Sequence, residues 1–302
     1  MARRLTLRVL GEERARFDGL DAIDLDGLKR ARFRVDADGG RFDCVLSRAP
    51  RGLLHARQPE RLFVLLSGGS DRAAGVELPR FQRWRWARDF PGHVLAVADP
   101  TLYLDDAIGL GWYVGPADRN WTETLAGLVS RVARDLGVGP AGVVYYGSSS
   151  GGFAAIAAAC RTPGAGAIAI NPQTDVLRYH PGAVKRLLDV CFPGTTAERF
   201  PEHVHRERLL AAAICEQAPG TRVLIAQNVS DRVHLDLHFT PFCERLAIPT
   251  SGGLATGGTK ASLLFDNDRG HVAAEPRELV AELIASYSGL AEPALARSAH
   301  AG

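Results

Sequence analysis

The chain has 302 residues, 46% of them hydrophobic and 23% charged, with a formal net charge of +2. That length fits one large α/β domain or two small ones, with the composition of an ordinary globular protein. So small a net charge argues against nucleic acid or an anionic membrane surface as the main partner.

The opening residues, MARRLTLRVLGEERARF, carry arginines but no long apolar stretch behind them. Polar residues interrupt too soon for an export signal or a membrane span. Five scattered cysteines (Cys44, Cys160, Cys191, Cys215, Cys243) form no C-x-x-C pair. That spacing argues against a disulfide framework and for a reducing compartment, so the expected location is the cytoplasm.

Residues 1–58 alternate short apolar runs (LTLRVL, ARFRV, FDCVL) with the turn-forming DADGG, which predicts a β-rich N-terminal segment, a small strand meander. From 59 to 290 the rhythm changes. Apolar runs (LFVLLS, HVLAVAD, GVVYYG, AIAIN, VLIAQN, SLLFD) alternate with segments of helical period such as WTETLAGLVSRVARDL and PRELVAELIASYSGL. Strand–helix alternation of this kind predicts an α/β domain with a mainly parallel, doubly wound sheet covered on both faces. Residues 175–220 read as two or three helices with no strand, an insertion placed to cap a substrate site. Residues 291–302, rich in alanine, read as a flexible tail.

Within this frame lies VVYYGSSSGGFAAIAAA, residues 143–159. The glycines and serines resemble a linker, but the flanks do not. GVVYYG is β-branched and aromatic, as a central strand is, and FAAIAAAC suits a helix packed tightly on a sheet. A strand, then G-x-S-x-G, then a helix is the context of a nucleophile elbow, with Ser149 at the apex and Gly147 and Gly151 meeting its need for small side chains. A phosphate loop fits worse, because no G-K-[ST] follows.

At this point the chain resembles the α/β-hydrolase superfamily over residues 61–290. The resemblance implies a triad in the order Ser, Asp/Glu, His, with the acid and histidine on loops after later strands. Asp231 in VSDRVHLDLH stands just past VLIAQN. His271 in DNDRGHVAAEP follows SLLFD as the family's Gly-His pair does. A serine hydroxyl is a poor nucleophile until an imidazole takes its proton, and a carboxylate fixes that imidazole's tautomer. Asp236 is the fallback acid and Asp175 a further one. The oxyanion hole would use the N–H of Ser150 and an amide of Gly68 or Gly69 in LFVLLSGGSDR, which resembles the family's H-G-G-G element without its histidine.

Other readings compete for some of these residues. Asp231, His234, Asp236 and His238 crowd eight positions, and H-x-D-x-H could be drawn as metal ligands. No cysteine or glutamate cluster completes a site, so no metal is expected, and His234 and His238 read as pocket-lining or surface side chains. The aromatic loop 99–121 offers Trp112 and Tyr113 as pocket residues, with coverage of the sheet edge as the alternative. Gln173 in Asn171-Pro172-Gln173-Thr174 would reach substrate with its amide. His180, His203 and His205, in the insertion, read as solvated or structural.

The expectation is a serine hydrolase acting on an ester or thioester, with a small-molecule acyl substrate and no cofactor. SSSGG, W-Y-x-G and N-P-Q-T are also similar to hydrolase-like proteins of bacterial surface-glycan synthesis. That likeness implies an alternative, an O-acyltransferase acting on a glycan or small-molecule hydroxyl. A catalytically silent accessory protein is the third possibility.

Overall fold

The structure, a computed structural model, describes residues 13–28, 30–49, 61–69, 77–271 and 275–291. The run LTLRVL and nearly all of the expected tail lie outside these residues. Among the described residues ten strands form one sheet, in the order β1-β2-β3-β5-β4-β6-β7-β8-β10-β9.

Three strands come from the N-terminal segment: β1 (Glu13–Asp18), β2 (Arg30–Ala37) and β3 (Gly40–Ser47). β2 and β3 form a hairpin closed at Ala37 and Gly40, with Asp38 and Gly39 both at positive φ (49° and 70°). An Asp-Gly pair suits that left-handed two-residue turn, whose twist matches the strands it joins. β1 runs parallel to β2 on the outer edge, and β3 pairs antiparallel with β5 (His93–Val97). The segment therefore extends the main sheet.

The parallel part comprises β4 (Leu62–Leu66), β5, β6 (Val143–Ser148), β7 (Gly166–Ile170), β8 (Arg222–Asn228) and β10 (Lys260–Phe265), with the two-residue β9 (Gly253–Leu254) antiparallel at the edge. β4, β6, β7 and β8 are buried along their whole length. Side chains on a strand alternate between faces, so each continuous apolar run supplies both. Leu62, Val64, Leu66, Val143 and Tyr145 enter one core, whereas Phe63, Leu65, Val144 and Tyr146 enter the other.

Helices cover both cores. Trp121–Asp135, Ser150–Cys160, Pro181–Cys191 and Ala211–Gln217 bury their apolar residues in the first, and Leu279–Ser288 in the second. The Ser150–Cys160 helix is buried on every side through Ala159, which its glycines and alanines permit by letting it lie close on β6 and β7. The 175–220 insertion supplies two of these helices, joined by short 3₁₀ turns.

Candidate active site

Ser149 sits between the last residue of β6 and the first of the helix Ser150–Cys160, with φ 57° and ψ −125°. That conformation lies outside the regions a serine prefers and costs on the order of 1–3 kcal/mol. The glycines around it are obligatory. A Cβ on Gly147 would come within 2.3 Å of the Gly151 carbonyl oxygen, and one on Gly151 within 2.6 Å of the Leu66 oxygen. The backbone N–H of Ser149 donates to Ile170 of β7 (3.0 Å), and its carbonyl accepts from Gly152 and Phe153, which starts the helix.

Two side chains meet the Ser149 hydroxyl. His271 Nε2 lies 3.1 Å from Oγ, and Gln173 Nε2 donates to the same Oγ at 2.9 Å. With the amide occupying an oxygen lone pair, the hydroxyl proton is left to point at His271. On the far side of the ring, His271 Nδ1 lies 2.8 Å from Asp231 Oδ2. A carboxylate only accepts, so Nδ1 carries the hydrogen and Nε2 is free to take one.

Asp231 is 5% exposed, just past the end of β8, where its carboxylate also accepts from the backbone N–H of His234 (3.3 Å). Burial alone would raise its pKa, but the hydrogen bonds from His234 and His271 outweigh this and hold it well below the usual carboxylate range. Asp236 is exposed, one turn further on. Asp175 accepts from the N–H of Leu177 (3.1 Å), capping the 3₁₀ turn at the start of the insertion.

Asn228, the last residue of β8, ties the loops together. It takes the Asn171 Oδ1 on its backbone N–H (2.7 Å), accepts from Ser230, and donates from Nδ2 to Asn267 (2.6 Å) and to the Gly270 carbonyl (2.9 Å). Gly270 has φ 58°, a left-handed turn that swings His271 inward. Nothing in the sequence marks Asn228, because its partners come from three separate loops.

A cavity of about 440 Å³ opens beside Ser149, lined in part by Gly68, Gly69, Trp86, Leu110, Tyr179 and His271. Its polar wall consists of Gln82, Arg83, Ser148 and Glu275. Arg83 and Glu275 form an ion pair whose side chains are 8% and 1% exposed. Arg83 also donates to the Ser148 hydroxyl and to Gln82 Oε1 (3.1 Å), and Tyr146 donates to Glu275 (3.1 Å). Burial would lower the pKa of Arg83, but the Glu275 charge reverses this and raises it. This pair carries no local motif and is absent from the sequence expectations.

The expected oxyanion donors divide. Gly68 gives its N–H to Gln82 Oε1 (2.9 Å), so that amide is engaged within the loop. Gly69 lines the cavity, and Ser150 heads the elbow helix.

Trp112 and Tyr113 do not line the cavity, which corrects the expectation of pocket residues. Both are fully buried and serve as anchors, at φ 49° and 60°. Trp112 Nε1 donates to Gln173 Oε1 (2.7 Å), which turns the Gln173 amide nitrogen toward Ser149. Tyr113 holds the β4 loop: its hydroxyl accepts from Ser67 N–H (2.7 Å) and donates to the Val97 carbonyl (2.8 Å). Gln173 is fully buried and meets the Ser149 hydroxyl directly. In the insertion His180 is exposed, and His203 stacks on Phe200 at 4.9 Å.

His234 and His238 are buried, and neither lines the cavity, which corrects the expectation of pocket-lining or surface side chains. One His/Asp group among the described residues has ligand atoms within 4.8 Å of one another: Asp231, His234 and His271. Donors bound to zinc at ~2.0–2.1 Å in a tetrahedron stand about 3.3 Å apart. The 2.8 Å separation of His271 and Asp231 is that of a shared proton.

No protein-family model matches the sequence, and no curated protein does. Solved structures do match. The capsule O-acetyltransferase of Neisseria meningitidis serogroup A is 17% identical with a TM-score of 0.58, over 86% of this chain and 92% of that one. An S-formylglutathione hydrolase from Agrobacterium tumefaciens is 17% identical with a TM-score of 0.55, over 87% and 95%. Puromycin hydrolase is 18% identical with a TM-score of 0.59, over 86% of this chain but 38% of the larger enzyme. At such identities what is shared is the path of the chain, and by that path, with its sheet order and its serine elbow, this chain has the α/β-hydrolase fold.

Proposed function

We propose that this chain is a serine hydrolase that cleaves an ester or thioester through an acyl-enzyme. Ser149 Oγ attacks the acyl carbon while its proton passes to His271 Nε2. Asp231, bonded to Nδ1–H, keeps the imidazole in the right tautomer and offsets the charge it gains. Negative charge on the carbonyl oxygen falls to the backbone N–H groups of Ser150 and Gly69, assisted by the positive end of the elbow helix. His271 then protonates the departing alcohol or thiol. Water repeats the sequence on the acyl-enzyme and restores the serine. The observation that carries this reading is the continuous chain of contacts, 3.1 Å from Ser149 to His271 and 2.8 Å from His271 to Asp231.

A second reading, acyl transfer to a hydroxyl group, is favoured by the polar wall of Gln82, Arg83 and Glu275 beside the nucleophile, which suits a hydroxylated acceptor better than an alkyl chain. The structural likeness to a capsule O-acetyltransferase agrees with it. Supplying a polyol alongside an activated acetyl ester separates the two, since transfer yields acetylated polyol and hydrolysis yields acetate.

A fluorophosphonate probe tests the common core of both readings. It should label one serine, Ser149, and Ser149→Ala should abolish labelling and turnover while leaving the melting temperature unchanged or higher, because the strained turn serves chemistry. EDTA should leave the rate intact. Absence of labelling in the folded protein would make it a silent scaffold. Activity lost to EDTA and restored by zinc would transfer the chemistry to Asp231, His234 and His271.

A further inference from the structure

His271 stands on a loop with its side chain 32% exposed, and the proposed reaction needs its ring held to within a fraction of an ångström. Its edge is held by Asp231. Its face is held by a second histidine: the rings of His234 and His271 stack at 3.9 Å between centroids and 7° between planes. The two imidazoles also share one carboxylate. His234 Nδ1 lies 3.1 Å from Asp231 Oδ1, while His271 takes Oδ2.

We propose that His234 is a positioning residue for the reaction, clamping Asp231 from one oxygen and His271 from one face, and that it does so as a neutral imidazole throughout. The proposal rests on the triad reading of the same site. Since the carboxylate can only accept, the hydrogen of His234 is on Nδ1, leaving Nε2 as a bare acceptor. Nε2 is buried and has no hydrogen-bond partner among the described residues, so nothing there would stabilise a second proton.

The groups facing His234 agree with a neutral ring. Asp231 lies on its own turn, His238 one turn along at 5.2 Å, Tyr179 from the insertion at 6.0 Å, and His271 from the loop after β10. Burial lowers the pKa of His234 against the pull of Asp231, and His271 lowers it further. Burial likewise brings His238 down to about 3, with His234 and Arg178 contributing. The positive charge that arrives in the reaction therefore settles on His271 alone, over a polarisable neutral face.

Two substitutions separate the parts of the clamp. His234→Phe keeps an aromatic face and removes the N–H to Asp231. His234→Gln keeps a donor and removes the face. The measurement is the fluorophosphonate labelling rate across pH, with kcat and KM on a short-chain ester. Without the His234 donor, Asp231 concentrates its charge on the bond to His271 and favours the imidazolium. In His234→Phe the acid limb of the labelling rate should rise by about half a pH unit or more, with kcat falling ~10-fold or more and KM nearly constant. His234→Gln should hold the acid limb near wild type but lose a similar factor in kcat. A packing role alone would lower the melting temperature and leave the pH profile in place. Should either variant fold with wild-type kcat and an unmoved acid limb, the clamp is refuted. Failure of the wild-type protein to label would refute the triad reading itself.

Discussion

Asp231 and Asp236 differ in what a carboxylate needs to steer an imidazole. Asp231 is buried, with one oxygen on His271 and the other on His234, whereas Asp236 is exposed on a π-helical turn. Replacement of the steering acid by Asn presents an N–H where an acceptor is required and turns the histidine to the wrong tautomer. Asp231→Asn should lower kcat by up to about 10⁴-fold with KM little changed, and Asp236→Asn by less than about tenfold. Steady-state kinetics on one activated ester would rank them. The reverse order would move the acid to Asp236, and near-wild-type rates in both would remove the acid from this turn altogether.

At the scale of elements, the loop between β5 and the Trp121–Asp135 helix places Leu110 in the cavity wall and acts on the rest of the site through buried anchors. Asp99 caps its first turn, accepting from Thr101 N–H (2.9 Å) and Tyr113 N–H (3.2 Å), and burial raises the pKa of this carboxyl to about 6. Tyr113 then fastens the loop to Ser67, next to the glycines of the proposed oxyanion hole. Tyr113→Phe leaves the buried Ser67 N–H and Val97 carbonyl without this partner, at a cost of about 1–3 kcal/mol. Thermal melting should drop by roughly 2–4 °C per kcal/mol, and kcat should fall with the loosened loop. An unchanged melting temperature would mean that water replaces the hydroxyl. The apolar runs of β4, β6, β7 and β8 were legible in the sequence because burial on both faces writes itself into consecutive residues. Ser149 and His271 were legible because glycines with strict steric or φ requirements flank them. Trp112 and Tyr113 were assigned to the pocket because an aromatic loop residue reads the same whether it faces substrate or the underside of a strand. Asn228 and the Arg83–Glu275 pair were missed for a related reason, since each takes partners far away along the chain. His234 was singled out only as a possible metal ligand, pocket-lining or surface side chain, because its ring contact with His271 joins two separate loops.

For the molecule as a whole, Arg83 and Glu275 link two distant connections, one between β4 and β5 and one after β10, 192 residues apart. Removing one member of a buried pair strands the other charge, so Glu275→Gln should cost about 3–5 kcal/mol in chemical denaturation. The double change Arg83→Met with Glu275→Gln should recover most of that loss, because neither charge is then left alone. A double variant as unstable as the single one would show that the pair's value lies in shape rather than charge.

The contact between Ser149 and His271 spans 122 residues of chain. Contacts of such separation form only after the intervening loop entropy has been overcome, so they tend to come late in folding. The elbow is held by β4, β6, β7 and its own helix, but the histidine proposed as its base arrives only when β8 and β10 have joined the sheet. On the proposed mechanism, a chain in which β10 has not docked has no base beside Ser149, so that serine stays chemically quiet until the last parallel strand joins. Reactivity toward a serine probe thus doubles as a count of molecules whose sheet is complete.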